Sequence, residues 1–145
     1  TEIGYNYRMS NVLAAIGVGQ MEAIEDRIKR TREVNQIYRK EVGDLFYSFQ
    51  EERETDRSNM WLTCALMKGE DKPEDLIKHL AEDNIEARRL WKPMHEQPVM
   101  KGYTKYINGN SSLLFLQGIC LPSGSDLTNK DMKRIIKSIK TFFKK

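Results

Sequence analysis

Residues 10–42 contain no proline, and their apolar side chains recur at helical spacing. Ala14, Val18, Met21, Ile24 and Ile28 fall on one stripe. Val34, Ile37, Tyr38 and Val42 resume it after the charged turn Lys29-Arg30-Thr31-Arg32-Glu33. An apolar residue every three or four positions marks a helix with one buried face. Ser10 or Asn11 supplies the N-cap, because a short polar side chain accepts a backbone N–H that the first turn leaves unpaired. Gly43 supplies a stop. The spacing predicts one long helix over 10–42, and the charged turn at its middle predicts that a separate body packs on each half. The chain then divides into a loop with a long connecting helix, 1–42, and a smaller α+β domain, 43–145.

The segment ahead of the helix is polar and aromatic: Gly4-Tyr5-Asn6-Tyr7-Arg8-Met9. An Asn amide and an Arg guanidinium are donors suited to phosphate oxygens, so Asn6 and Arg8 are candidates for anion binding. The plain alternative is a helix lead-in with a surface arginine. Gly17 and Gly19 lie inside the helical pattern and predict close packing of another element. A functional loop placed at an abrupt start, with Thr1 in place of methionine, reads as a piece of a longer protein.

Beyond Gly43, a polar stretch at 50–59 reads as an exposed loop, and Met60–Met67 as a buried strand. Pro73 fits a first helical position, after Asp71 as candidate cap, with Leu76, Ile77 and Leu80 facing inward and Asp83-Asn84 ending the helix. Ile85–Trp91 reads as a second strand. Strand, helix and strand in so short a span make a compact α+β unit. Pro93, Pro98 and Gly109 make 92–111 irregular; Ser111–Gln117 fits one or two helical turns and Ile119–Pro122 a short strand. Thr128-Asn-Lys-Asp131 has the form of a capping box. Met132, Ile135, Ile136, Ile139 and Phe143 mark the inner face of a last helix. His79 reads as a surface residue, and Met21, Met60, Met67, Met94 and Met100 as core or pocket filler.

The chain's 145 residues fit one domain-sized body. Lys+Arg less Asp+Glu is 24 − 21 = +3, too weak a bias to require a polyanion. Cys64 and Cys120 each sit in an apolar run, which favours free thiols in a reducing, cytoplasmic setting over a disulfide. No apolar run approaches the ~18 residues of a membrane span, and no His/Cys/Asp spacing suggests a metal site. The basic end, Lys130 to Lys145, reads as the solvated outer face of an amphipathic helix, with a nucleic-acid or membrane surface as the alternative.

Three blocks together resemble the C-terminal part of the DegT/DnrJ/EryC1/StrS family. They are Gly4-Tyr-Asn-Tyr-Arg-Met-Ser-Asn with Ala14-Ala-Ile-Gly17 and Gln20-Met-Glu22; Ala87-Arg-Arg-Leu-Trp-Lys-Pro-Met-His95 with Gln97-Pro98; and Gly118-Ile-Cys-Leu-Pro-Ser-Gly-Ser125 with Leu127-Thr128. They occur in the family's order and cover essentially the whole chain. Their wording leans toward members that make 4-amino sugars for bacterial glycans. Arg89 stands where the family often has proline, and Gln117 where it often has arginine.

The resemblance implies the α+β small C-terminal domain of the aspartate-aminotransferase-like (fold type I) enzymes, preceded by its long connecting helix. It implies pyridoxal 5'-phosphate as cofactor, a nucleotide-linked keto sugar as substrate, glutamate as amino donor and a homodimer, with no nucleic-acid or membrane partner. The lysine that forms the Schiff base lies upstream in such enzymes, so no catalytic residue is assigned here. Asn6 and Arg8 match positions that reach the cofactor phosphate, or the substrate, in the partner subunit's site. Trp91, Lys92 and His95 match positions lining the sugar-nucleotide pocket. Read without the resemblance, Trp91 is equally a core residue, and Lys92 and His95 solvated loop residues. The rival functions are a stand-alone binding or dimerisation module and a nucleic-acid binder using the last helix.

Overall fold

The computed structural model describes residues 4–144. Thr1 and Lys145, both used in the reading above, lie outside the described residues. The described residues form five α-helices and a small antiparallel sheet. The expected long helix is interrupted at Ala23, giving α1 (Asn11–Glu22) and α2 (Ile24–Val42). Ser10 caps α1, its hydroxyl accepting the Leu13 N–H at 3.3 Å. Ala23 leaves helical geometry, with φ −102° and ψ 0°, while its own N–H reaches back to Gln20 and Met21. The interruption falls ahead of the charged turn, not at it.

The sheet has the order β1-β2-β4-β3, all neighbours antiparallel. Its strands are β1 (Ser48–Phe49), β2 (Thr63–Leu66), β3 (Arg88–Arg89) and β4 (Gly118–Leu121). The first strand lay unrecognised in the sequence. Of the three expected strands, β4 lies where Ile119–Pro122 placed it, and the other two are shorter than their apolar runs. Met60 takes a left-handed φ of 48°, which turns the chain before β2, and β3 pairs with β4 through Arg88 and Arg89, with one further bond from the Leu90 N–H to the Gly118 carbonyl at 3.3 Å.

The helices α3 (Pro73–Glu82), α4 (Asn110–Gln117) and α5 (Asn129–Phe142) complete the chain. Pro73 opens α3 as expected, although the capping position is Lys72, without a side-chain hydrogen bond. The capping box of α5 is complete, with Thr128 and Asp131 each bonding the other's backbone. One core joins α2, α3 and α5 to the sheet. Val34, Tyr38 and Val42 meet Leu76, Leu80, Ile119, Leu121, Ile135 and Ile139 there, all essentially inaccessible. Burying such side chains contributes about 1.5–3 kcal/mol each, which makes this cluster the main source of stability.

The charged turn is a tie rather than a gap. Arg30 donates to the Leu127 carbonyl at 2.6 Å. Arg32 forms a two-bond fork with Glu52, both bonds 2.9 Å. The fork and the backbone N–H of Ser58 hold the Glu52 carboxyl down at about 2. The exposed 50–59 loop is thus pinned to α2 through charge-assisted bonds, the stronger kind.

Some expectations need correction. His79 is half-buried, its Nε2 3.1 Å from the Ser138 carbonyl and its ring against Phe142 at 5.7 Å. Phe142, not Phe143, is the aromatic buried most deeply at the end of α5. Met60 and Met67 are buried, whereas Met21 and Met94 are exposed. Cβ atoms placed on Gly17 and Gly19 would meet nothing within 4 Å, so no described element packs against them. No described helix is long and apolar enough to cross a membrane. Cys64 and Cys120 are free thiols.

Candidate functional site

Two groups of the expected site residues sit on different parts of the fold. The first is the loop feeding α1. The Oδ1 of Asn6 accepts the backbone N–H of Arg8 at 3.0 Å, an Asx-type turn that fixes the loop ahead of the Ser10 cap. Tyr5 and Tyr7 stand 6.0 Å apart, ring to ring. Every residue from Gly4 to Glu22 is exposed, and α1 buries none of its side chains. Among the described residues the Arg8 guanidinium has no hydrogen-bond or ion-pair partner. A cation free of local partners keeps all five donors for a ligand or another surface.

The apolar content of α1 makes this exposure informative. Val12, Leu13, Ile16, Val18 and Met21 each keep more than half of their surface accessible. A helix apolar around its circumference is a helix meant for burial. Nothing in residues 4–144 covers it.

The second group surrounds the end of β3. Trp91 is 67% exposed, so it is no core residue. Its ring lies 6.3 Å from that of Trp61, tilted by 36°. Trp61 is 64% exposed; it precedes β2 and was not singled out by the sequence, because thirty positions separate the two. Lys92 follows on the surface, its carbonyl accepting the Gln97 side-chain amide at 3.3 Å. Pro93 is buried beneath it. His95 is largely sheltered, 18% exposed at its side chain, with Nε2 3.6 Å from Glu96 Oε1 and 3.3 Å from Ser112 Oγ. Ser112 in turn donates to Glu96 at 2.5 Å. His95, Glu96 and Ser112 thus form one polar cluster between the irregular segment and α4. Ser112 was also missed in the sequence, since only the fold brings it to His95.

Arg89 braces this corner. Its guanidinium lies 4.1 Å over the Phe115 ring, donates to the Phe115 carbonyl at 2.6 Å and pairs with Glu74. Its Nε is buried without a partner. Those contacts fix the strand that presents Trp91 against α3 and α4. Among the described residues, no hydrogen bond or ion pair joins the first group, Asn6 and Arg8, to Trp91, Lys92 or His95. No cluster of three or more His, Cys, Asp or Glu able to hold a metal occurs among the described residues.

Residues 1–140 match the DegT/DnrJ/EryC1/StrS aminotransferase family. The chain belongs to that family. EpsN of Bacillus subtilis, by name a pyridoxal phosphate-dependent aminotransferase, is 38% identical over 99% of this chain. The GDP-perosamine synthase of Escherichia coli O157:H7 is 36% identical over 97% of it. The chain spans 38% of the length of each of these curated relatives. A family aminotransferase from Brucella abortus superposes with a TM-score of 0.86 at 23% identity, over 100% of this chain and 39% of its own. The α+β fold expected from the resemblance is therefore the observed one: it is the corresponding portion of the fold type I aminotransferases.

Proposed function

We propose that this chain is the C-terminal part of a pyridoxal-phosphate-dependent aminotransferase that transfers an amino group to a nucleotide-linked keto sugar for bacterial glycan synthesis. The observation that supports this reading most is the family match over residues 1–140, carried by a chain that spans 38% of its relatives. Relatives named for GDP-perosamine synthesis and for a UDP-amino-sugar transaminase favour a 4-keto sugar as acceptor. Glutamate is the proposed donor.

Pyridoxal phosphate, when bound, supplies the electron sink for transamination. This chain's residues fit its phosphate end: an amide and an unengaged guanidinium lie in one exposed loop, a donor set suited to a dianionic phosphate. Asn6 orients the loop through the Arg8 N–H, and Arg8 presents its donors outward. In our reading both act on the partner subunit's site of a homodimer. The exposed α1 is then covered by the rest of the whole protein and by that partner. The division of the chain at 42–43 is proposed on the same footing, with the second half of α2 built into the small domain's core.

The Trp91 ring and the Lys92 ammonium are proposed to receive the nucleotide-sugar, the ring by stacking and the ammonium on a phosphate. His95, steadied by Ser112 and Glu96, orients a sugar hydroxyl. A cytoplasmic setting fits the two free thiols.

The test is an amino-transfer assay on the whole protein with pyridoxal phosphate, glutamate and 4-keto-6-deoxy sugars linked to GDP or UDP. Glutamate-dependent appearance of the amino sugar is expected with one of them. The absence of product with every acceptor would overturn the reading. A stand-alone binding module would give that negative result while still capturing a partner.

A further inference from the structure

Cys64 and Cys120 lie opposite one another on adjacent strands, and neither the fold nor the proposed reaction uses them. Their Sγ atoms are 3.7 Å apart. The local pairing makes this closeness systematic. The Cys64 carbonyl accepts the Gln50 N–H at 3.1 Å, and its N–H donates to the Gln50 side chain. Both backbone groups of Cys64 therefore point toward β1, away from β4. Toward β4 it forms a non-hydrogen-bonded cross-strand pair, the kind whose Cα atoms approach to about 4.5 Å. That separation lies within the ~4.4–6.8 Å a disulfide bridges. A change of χ1, not of backbone, closes the remaining gap.

We propose that Cys64 and Cys120 form an oxidisable dithiol site, converted to a cross-strand disulfide by a peroxide. Cys64 is half-buried at the edge of a groove of about 290 Å³ lined by Ser48, Phe49, Gln50, Leu90 and Leu114. Cys120, 7% exposed, lies behind Cys64 on β4, with its sulfur 3.7 Å from the one at the groove. The hydrogen bond from Cys64 and the positive charge of Arg88 hold the Cys120 thiol below its ordinary value, which favours its thiolate as nucleophile.

The chemistry balances in two steps. The Cys120 thiolate attacks one peroxide oxygen; the O–O bond breaks, the leaving oxygen takes a proton and departs as water, and Cys120 is left as a sulfenic acid. The Cys64 sulfur then attacks the Cys120 sulfur. The S–S bond forms, the S–O bond breaks, and the hydroxide takes the Cys64 proton to leave as a second water. Two thiols lose two electrons, and the peroxide gains them.

The bond would join strands already in register, so the reduced fold need not open to form it. The test treats the intact whole protein with hydrogen peroxide, blocks remaining thiols under denaturing conditions and maps peptides by mass. The expected product is a Cys64–Cys120 linked peptide, lighter by two hydrogens and lost on reduction with dithiothreitol. Cys64→Ser and Cys120→Ser should each abolish it. If both thiols remain fully alkylatable at a peroxide dose that oxidises free glutathione, the proposal fails. It fails equally if either cysteine is over-oxidised alone with no linked peptide.

Discussion

The hydroxyl of Tyr38, in the C-terminal half of α2, donates to the carbonyl of Pro122 at 2.9 Å, just past β4. Tyr38 is inaccessible to solvent, and burial pushes its phenol well above the usual range. The donor is thus shielded from water, while its acceptor, Pro122, is half-buried. Tyr38→Phe keeps the ring's packing and orphans a carbonyl. The expected cost is about 1–2 kcal/mol. Urea unfolding should show a lower midpoint with an unchanged slope; an unchanged midpoint would mean that the carbonyl finds another donor.

Glu52 predicts a specific acid sensitivity. Its carboxyl is held down at about 2 by the Arg32 fork and the Ser58 N–H, against an ordinary value of 4.5. A folded value below the unfolded one means that the unfolded chain binds the proton first. The stabilisation is then fully present above pH 4.5 and is lost as the pH falls toward 2. Glu41, paired with Lys140, and Asp131, in the α5 capping box, are shifted in the same direction. Glu52→Gln should flatten the loss of urea stability across that window and leave its shape above pH 5 unchanged. A variant with the wild-type acid limb would count against the fork.

The exposed apolar surface of α1 predicts association of residues 1–145 when separated from the rest of the protein. Sedimentation should give a mass that rises with concentration. Ile16→Glu with Val18→Glu should return it to the monomer without altering thermal unfolding, because neither side chain is buried. A monomer at the highest soluble concentration would show that α1 has no partner to wait for.

Much of this fold was legible because its signals are local. Pro73, the Thr128–Asp131 box and the isoleucine stripe of α5 announce elements within a few residues. The break at Ala23 was not, since alanine is a good helix former and nothing in the pattern lapses there. β3 is short because pairing with β4 reaches no further than Arg88, Arg89 and the N–H of Leu90. His79 was misplaced because its shelter comes from Ser138 and Phe142, sixty positions away. At the candidate site the sequence supplied Asn6, Arg8, Trp91, Lys92 and His95. It could not supply Trp61 or Ser112, which only the fold brings to Trp91 and His95.

On the proposed reading, the Trp61–Trp91 pair serves binding and not chemistry. Stacking of a base on an aromatic ring is worth about 1–3 kcal/mol, so Trp91→Ala in the whole protein should raise KM for the nucleotide-sugar by about 5- to 160-fold. Little change in kcat is expected, because a ring that only holds the nucleotide serves ground and transition states alike. Trp61→Ala should act in the same direction and more weakly. An effect on kcat alone would place Trp91 elsewhere in the reaction.

The account stands or falls on whether Arg8 serves a site completed by another polypeptide. Two inactive whole-protein variants decide this: Arg8→Ala, and one in which the cofactor lysine, outside these residues, is replaced. In the proposed homodimer, co-expression at equal levels would give mixed dimers in which one site has both intact halves, so about one quarter of wild-type amino transfer should return. Activity no greater than the two parents' would contradict the account, and Arg8 would then act within its own subunit or not at all.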